Sequence, residues 1–285
     1  MQRSRPSSEV LRALSPMERV ALEIGHLSTT HLTLPAKAYN TVTMGVMLWA
    51  TAGKRMDIVG LDHVTRYGKN DRVLFVCNHR SFFDFFVITA TYFWNTKLSR
   101  RILFPVRSTF FYDHPLGPMV NGAMSGMSMF PPLLRDKGED KRAFNKWAID
   151  RCIEELQVPG TVMGLHPEGT RNKSDDPYAL LSAKPGVGRV ALGAEGAHVI
   201  PCFVLGPGNS LPKEFGLNWR APQDNRIDVL FGPELDLSDL RRDDRGNSTA
   251  LEASQRCLEA IRTLSVEQRR LRGIPVTSQG VNVSP

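Results

Sequence analysis

One stretch of twelve residues, Val73-Leu-Phe-Val-Cys-Asn-His-Arg-Ser-Phe-Phe-Asp84, holds the side chains best suited to chemistry. A histidine followed closely by a carboxylate has a definite use. The carboxylate accepts the Nδ1 proton and fixes the tautomer, leaving Nε2 free as a base near neutral pH. Such a base takes the proton from an attacking hydroxyl. The elements that must hold His79 and Asp84 are legible around them. Val73 to Cys77 is an unbroken apolar run and reads as a strand buried on both faces. Ser81 and Asp84 have the S-x-x-D spacing of a capping box, ahead of apolar Phe85, Phe86, Val87 and Ile88. His79 is therefore expected in the turn between a strand's C-terminal end and a helix N-terminus, where α/β folds place ligand sites. Asp84 falls in the first helical turn, whose dipole favours an ionised carboxylate. The plainer alternative is a capping aspartate beside an incidental turn histidine.

A second stretch repeats the arrangement. Thr161 to Leu165 reads as another buried strand and ends in a polar turn, His166-Pro-Glu-Gly-Thr-Arg-Asn172. Gly169 lets backbone N–H groups approach a ligand closely, as an oxyanion or phosphate cradle requires. Arg171 offers a planar fork suited to phosphate, although it and Glu168 also suit a structural pair across the turn.

Together, N-H-x4-D and P-E-G-T-R resemble the glycerolipid acyltransferase family, the 1-acylglycerol-3-phosphate acyltransferases and their relatives. Gly60-Leu-Asp62, Pro105-Val-Arg107, Pro115-Leu-Gly117, Lys184-Pro-Gly186 and Val199-Ile-Pro-Cys202 follow that pattern in order, over about residues 58 to 235. The resemblance implies catalytic His79 and Asp84. It implies substrate-binding roles for Arg107, Glu168, Gly169, Thr170, Arg171 and Lys184, with Glu168 holding the acceptor. Phe130-Pro-Pro-Leu-Leu-Arg135 stands where the family has a compact G-x-I-F-I-D-R, and its two prolines alter the spacing before Arg135. Where the family usually has Phe, this chain has His166.

Composition narrows the partners. A formal charge of +7 suggests nucleic acid, an anionic membrane or a phosphorylated substrate. No nucleic-acid motif is present, so nucleic acid is the weakest of the three. Cys77, Cys152, Cys202 and Cys257 are scattered and read as reduced core thiols, neither a disulfide frame nor a metal site. No signal peptide is expected from Met1 to Ser8.

Taken in order, residues 1–55 read as a polar, disordered start followed by amphipathic helices. Apolar Val10, Leu11, Leu14, Val20, Ala21 and Ile24 recur at helical spacing, with a break near Pro16. Residues 38–53 are uncharged but shorter than the roughly twenty residues that span a bilayer. They read as an interfacial helix anchored by Trp49 and by Lys37, Lys54 and Arg55. Residues 56–272 read as one catalytic domain, and 273–285 as a disordered tail. Ile102 to Val106 is a third candidate strand. The charges of a helix over 142–156 read as a solvated face, and 206–225 as a mobile rim loop.

The expected fold is α/β, with a mixed, largely parallel central sheet flanked by helices and preceded by membrane-associated helices. The expected function is acyl transfer from acyl-CoA or acyl carrier protein to a lysophospholipid, foremost 1-acylglycerol 3-phosphate, with no metal or further cofactor. Other lyso-lipid acceptors and thioester hydrolysis are the alternatives, and the cytoplasmic face of the membrane is the expected location.

Overall fold

The computed structural model describes residues 4–107, 116–125, 128–134, 138–242 and 246–275. The N-terminal break falls before Pro16, where the chain turns from a short 3₁₀ segment into helix α1 (Pro16–Thr30). Ser15 and Glu18 make a reciprocal capping box there, and Pro16 occupies the first turn, where its missing N–H costs nothing. Ser4 is tied to the body of the protein through the Glu154 carboxylate (2.9 Å), so order begins earlier than the polar composition suggested.

Helices α2 (Thr33–Tyr39) and α3 (Gly45–Ala52) run on through a π turn at Asn40–Met44. Met44, Leu48 and Ala52 face the core, whereas Val42, Val46 and Trp49 are exposed. No described helix is long and apolar enough to cross a membrane. Arg55 is not a surface anchor: it is 2% exposed and ion-paired with Glu214 at 2.6 Å.

Then follow β1 (Met56–Val59), α4 (Asp62–Thr65), β2 (Val73–Cys77), α5 (Asp84–Asn95), β3 (Arg101–Leu103), β4 (Val106–Arg107), α6 (Gly117–Ser125) and β5 (Pro132–Leu133). Next come α7 (Glu139–Leu156), β6 (Thr161–Leu165), α8 (Pro185–Gly193), β7 (His198–Leu205), α9 (Leu211–Arg220) and β8 (Ile227–Phe231). Helices α10 (Ser238–Arg242) and α11 (Asn247–Leu271) complete the chain.

The main sheet has the order β1-β8-β7-β2-β6-β3 and is parallel throughout except between β7 and β8. The expected mixed, largely parallel architecture is thus present. Alternation along β2 divides its side chains between two cores. Val73, Phe75 and Cys77 pack with α3 and α5, and Leu74 and Val76 pack with α7, α8 and α11. All four cysteines are buried free thiols.

Three expectations need correction. The strand expected over Ile102 to Val106 is split, because β4 leaves the main sheet and pairs with β5. The 206–225 segment is not one loop: it contains α9. The charges of α7 are not all solvated, since Arg151 and Glu155 are both fully buried. Glu155 accepts from Arg151 Nε at 2.9 Å and binds Arg101 with its other oxygen. Periodicity could not show this, because the partner that makes burial tolerable lies on another strand. Of the segment expected as a disordered tail, residues 273–275 are described, and Gly273 ends α11 with φ +66°.

One anion thus holds two buried guanidinium groups. Glu155→Gln should cost about 3–5 kcal/mol of unfolding free energy, because uncompensated charge is left in the interior. Denaturant titration measures it, and a loss below about 1 kcal/mol would indicate a solvated surface pair instead.

Candidate active site

Strands β2 and β6 are neighbours in register, Val76 opposite Leu165, so the turns that follow them leave the sheet side by side. Asn78 locks the first turn to the other neighbour. Its Nδ2 donates to Val204 O and its Oδ1 accepts from Val204 N–H, both at 2.8 Å, in the manner of one more backbone pair. Sequence reasoning gave Asn78 no role. Its place at the end of an apolar run was the available signal, since a buried amide there must find partners.

His79 Nδ1 lies 3.2 Å from Asp84 Oδ2. That oxygen also accepts the N–H groups of Arg80 and Ser81, each at 2.8 Å, which fixes the carboxylate before any substrate arrives. The capping box is only half formed. Helix α5 begins at Asp84, and the Ser81 hydroxyl accepts from Phe83 N–H at 3.0 Å and donates to Gly208 O. Ser81 therefore ties the turn to the segment after β7.

Glu168 joins the two turns. Its Oε1 accepts His79 N–H at 2.8 Å and its Oε2 accepts Leu181 N–H at 2.7 Å. Asn172 N–H donates to His79 O at 2.7 Å. Glu168 is 1% exposed and does not pair with Arg171, which instead donates to Asn209 Oδ1 at 3.1 Å. Gly169 has φ +66°, a left-handed conformation that favours glycine, and an added Cβ would stand 3.2 Å from Lys184 Cγ. Lys184 secures the turn through its own N–H to Pro167 O at 2.8 Å, with its side chain exposed. Thr170 is half-buried between Gly169 and Arg171. Arg107 Nη2 reaches Gly169 O at 3.5 Å, which brings β4 to this rim. Arg135 lies outside the described residues.

His166, which stands where the family usually has Phe, lies against the site. Its ring stacks on His79, with centroids 3.8 Å apart and planes 9° from parallel. Its Nδ1 is 3.1 Å from both Cys77 O and Asn78 O, two acceptors that require the proton on that nitrogen.

The electrostatics follow from burial. Desolvation pushes His79 down to about 3, and the nearby charges of Arg171 and Arg107 act in the same direction. Desolvation also lowers His166 to about 3, and the stacked His79 adds to the effect. Both rings are therefore neutral at pH 7, the state a general base needs. Burial raises Asp84 to about 7, against the opposing pull of His166 and of the Ser81 and Arg80 N–H groups. Glu168 is likewise raised to about 7 by burial, opposed by the Leu181 and His79 N–H groups. Among the described residues, no cluster of three or more His, Cys, Asp or Glu side chains is placed to hold a metal ion.

No curated protein matches this sequence. The fold is similar to that of the 1-acyl-sn-glycerophosphate (LPA) acyltransferase PlsC from Thermotoga maritima. The TM-score is 0.50 at 15% identity, over 92% of this chain and 97% of that one. A family model described as Acyltransferase matches residues 55–205, more than half of the chain. That span contains β2 and β6 and the turns that bring His79, Asp84 and Glu168 together, and the chain belongs to the Acyltransferase family.

Proposed function

We propose that this chain moves a fatty acyl group from acyl-CoA or acyl carrier protein to the free hydroxyl of a lysophospholipid, foremost 1-acylglycerol 3-phosphate. The product is then phosphatidic acid. The observation that carries this reading is the neutral His79 held by a buried Asp84, with Arg171 and Arg107 close enough to act on its ring. His79 Nε2 takes the acceptor's hydroxyl proton as the oxygen attacks the thioester carbonyl. Asp84 holds Nδ1–H and stabilises the imidazolium that forms. The tetrahedral intermediate collapses, the C–S bond breaks, and the proton on Nε2 passes to the departing thiolate. No covalent acyl-enzyme is needed. Ser81, the nearest hydroxyl, is 1% exposed and committed to Gly208 and Phe83.

The phosphate is assigned to Arg171 and Arg107 beside the Gly169 turn. The acceptor is a membrane lipid in this reading, and the enzyme works at the cytoplasmic face of a bilayer. Val20, Ile24 and Leu27 on the exposed side of α1 and the charge of +7 support that location.

His79→Ala should leave the protein folded and lower transfer by at least about 10²-fold, the lower range for a placed general base. Thiol release in the presence of acceptor reads this out. A folded variant retaining more than about a tenth of the rate would contradict the role of His79. Free fatty acid in place of acylated lipid would mark a hydrolase.

Transfer should also rise with pH along a limb centred near 7, then level off. Asp84 supports Nδ1–H only when ionised, and its carboxyl is raised to about 7. His79, lowered to about 3, does not titrate in that range. The same burial makes ionised Asp84 and Glu168 destabilising in the folded chain, so their contribution to stability is lost as pH rises through about 7. A pH–rate profile flat from 5 to about 8 would remove Asp84 from this role.

Acceptor preference tests the phosphate assignment. Each hydrogen bond to a charged group contributes roughly 1.5–3 kcal/mol, so two give on the order of 10²–10⁴-fold preference for lysophosphatidate over monoacylglycerol. The test compares lysophosphatidate, choline and ethanolamine lysolipids, a lyso-aminolipid and monoacylglycerol with one acyl-CoA. Lysophosphatidate should lead, and Arg171→Ala should erase most of its lead while barely changing the rate with monoacylglycerol. A leading acceptor without phosphate would refute the lysophosphatidate assignment alone.

A further inference from the structure

Helix α9 lies outside the N-terminal segment and outside the active-site turns, yet it carries the side chains of an interface. Phe215 is 51% exposed and Trp219 41% exposed, one turn apart on the same face. Trp219 meets Trp49 of α3 edge-to-face at 5.2 Å, so the two helices present one continuous apolar surface. The rest of that surface is Val42 and Val46, 65% and 62% exposed.

The fold holds this surface rigidly. Asn218 Oδ1 accepts Lys54 N–H at 2.9 Å, and its Nδ2 donates to Ala50 O at 3.0 Å. Trp219 Nε1 also donates to Ala50 O, at 3.0 Å. With its one donor satisfied by the protein, the indole turns only ring surface outward.

Charge and continuity identify the occupant. Lys54 stands 3.7 Å over the Trp219 ring, and Lys213 and Arg220 are exposed on α9. The one acid of α9, Glu214, is buried against Arg55, so every exposed charge on the helix is positive. Behind the surface, a small, mainly apolar pocket lined by Met47, Leu48, Phe83, Phe86, Pro207 and Leu211 lies between α3, α5 and the start of α9. Aromatic tips and a basic rim suit an anionic lipid leaflet.

We propose that α9 and the outer face of α3 form a docking surface for an anionic lipid bilayer, mechanically joined to the active site. The joint is the segment 206–210. Gly208 N–H donates to Glu214 at 3.1 Å, and Gly208 O accepts from Ser81. Asn209 Oδ1 accepts Phe82 N–H at 2.9 Å and Arg171 Nη1 at 3.1 Å. Docking therefore fixes the distance between the leaflet and the phosphate-facing arginine. This coupling to transfer rests on the acyltransferase reading above, whereas the docking does not.

The test uses the full chain with no substrate present, floated with vesicles of phosphatidylcholine alone or mixed with phosphatidylglycerol. The wild type should bind the mixed vesicles. Phe215→Asp should lower partitioning by on the order of tenfold, with the melting temperature kept. The milder Phe215→Ser should lower it in the same direction. Lys213→Glu with Arg220→Glu should reduce binding at least about fivefold per charge, on phosphatidylglycerol vesicles only. With a detergent-dispersed acceptor, Phe215→Asp should transfer at the wild-type rate. Wild-type protein that ignores both vesicle types, or Phe215 variants that bind as wild type does, would overturn the proposal. So would a wild-type dimer that Phe215→Asp dissociates without loss of vesicle binding, since the surface would then serve a second copy of the chain. Absent transfer with vesicle binding intact would count against the proposed reaction and leave the docking surface standing.

Discussion

Everything at the site depends on the parallel pairing of β2 with β6. Parallel neighbours end on the same edge, so the turns after Cys77 and Leu165 emerge together although far apart in sequence. The pairing alone would leave two loose turns. Glu168 makes them one unit by accepting an N–H from each side of the gap, from His79 and from Leu181. Asn172 returns a bond to His79 O, so the backbone of His79 is held from both sides. Preorganisation of this kind costs nothing at the moment of reaction, which is why fixed dipoles outperform water around a developing charge.

The same enclosure sets the protonation states. Removing water disfavours every charged form, so the imidazoles go down and the carboxylates go up. His166 extends that logic. A phenyl ring in its place would exclude water equally well but would present a face with no polar edge. The imidazole has its Nδ1–H directed at two carbonyl oxygens, which draws positive character to that edge and leaves the face electron-rich toward His79. In the proposed mechanism, an imidazolium forming on His79 would gain from that face, as a cation does over an aromatic ring.

Much of this was legible in the sequence because it is local. Val73 to Cys77 and Thr161 to Leu165 are short apolar runs with polar ends, and each is a strand whose following turn lies at the candidate site. His79 and Asp84 could be paired on spacing because one turn joins them. What could not be read was non-local. Glu168 suited a pair with Arg171 across the turn, yet its partners are backbone N–H groups contributed by other turns. Glu155 looked solvated because Arg101 reaches it from β3. Helix α9 was hidden by the Gly, Pro and Asn content around it, and its tie between α3 and the His79 turn depends on Asn218 and Glu214 meeting residues near position 50. Arg55 misled for the same reason: a basic flank on paper, it is half of a buried ion pair.

The positions of the two carboxylates separate two tasks that an acyltransferase must perform. Asp84 faces the reacting ring, and Glu168 faces the backbone that carries it. A carboxylate has about four lone-pair sites, so two backbone contacts do not exhaust Glu168. Its 1% exposure nevertheless leaves holding the turn as the task its geometry performs at rest. In the proposed reaction, recognition falls to the half-open rim, where Arg171 and Arg107 converge on the Gly169 turn. Rim groups remain hydrated until a ligand displaces the water, so in that proposal they would discriminate among head groups without disturbing the buried His79. Chemistry is thereby placed, in that proposal, in the dry layer and selection in the wet one. Acceptor choice can change by substitution at the rim while the His79–Asp84 pair stays as it is.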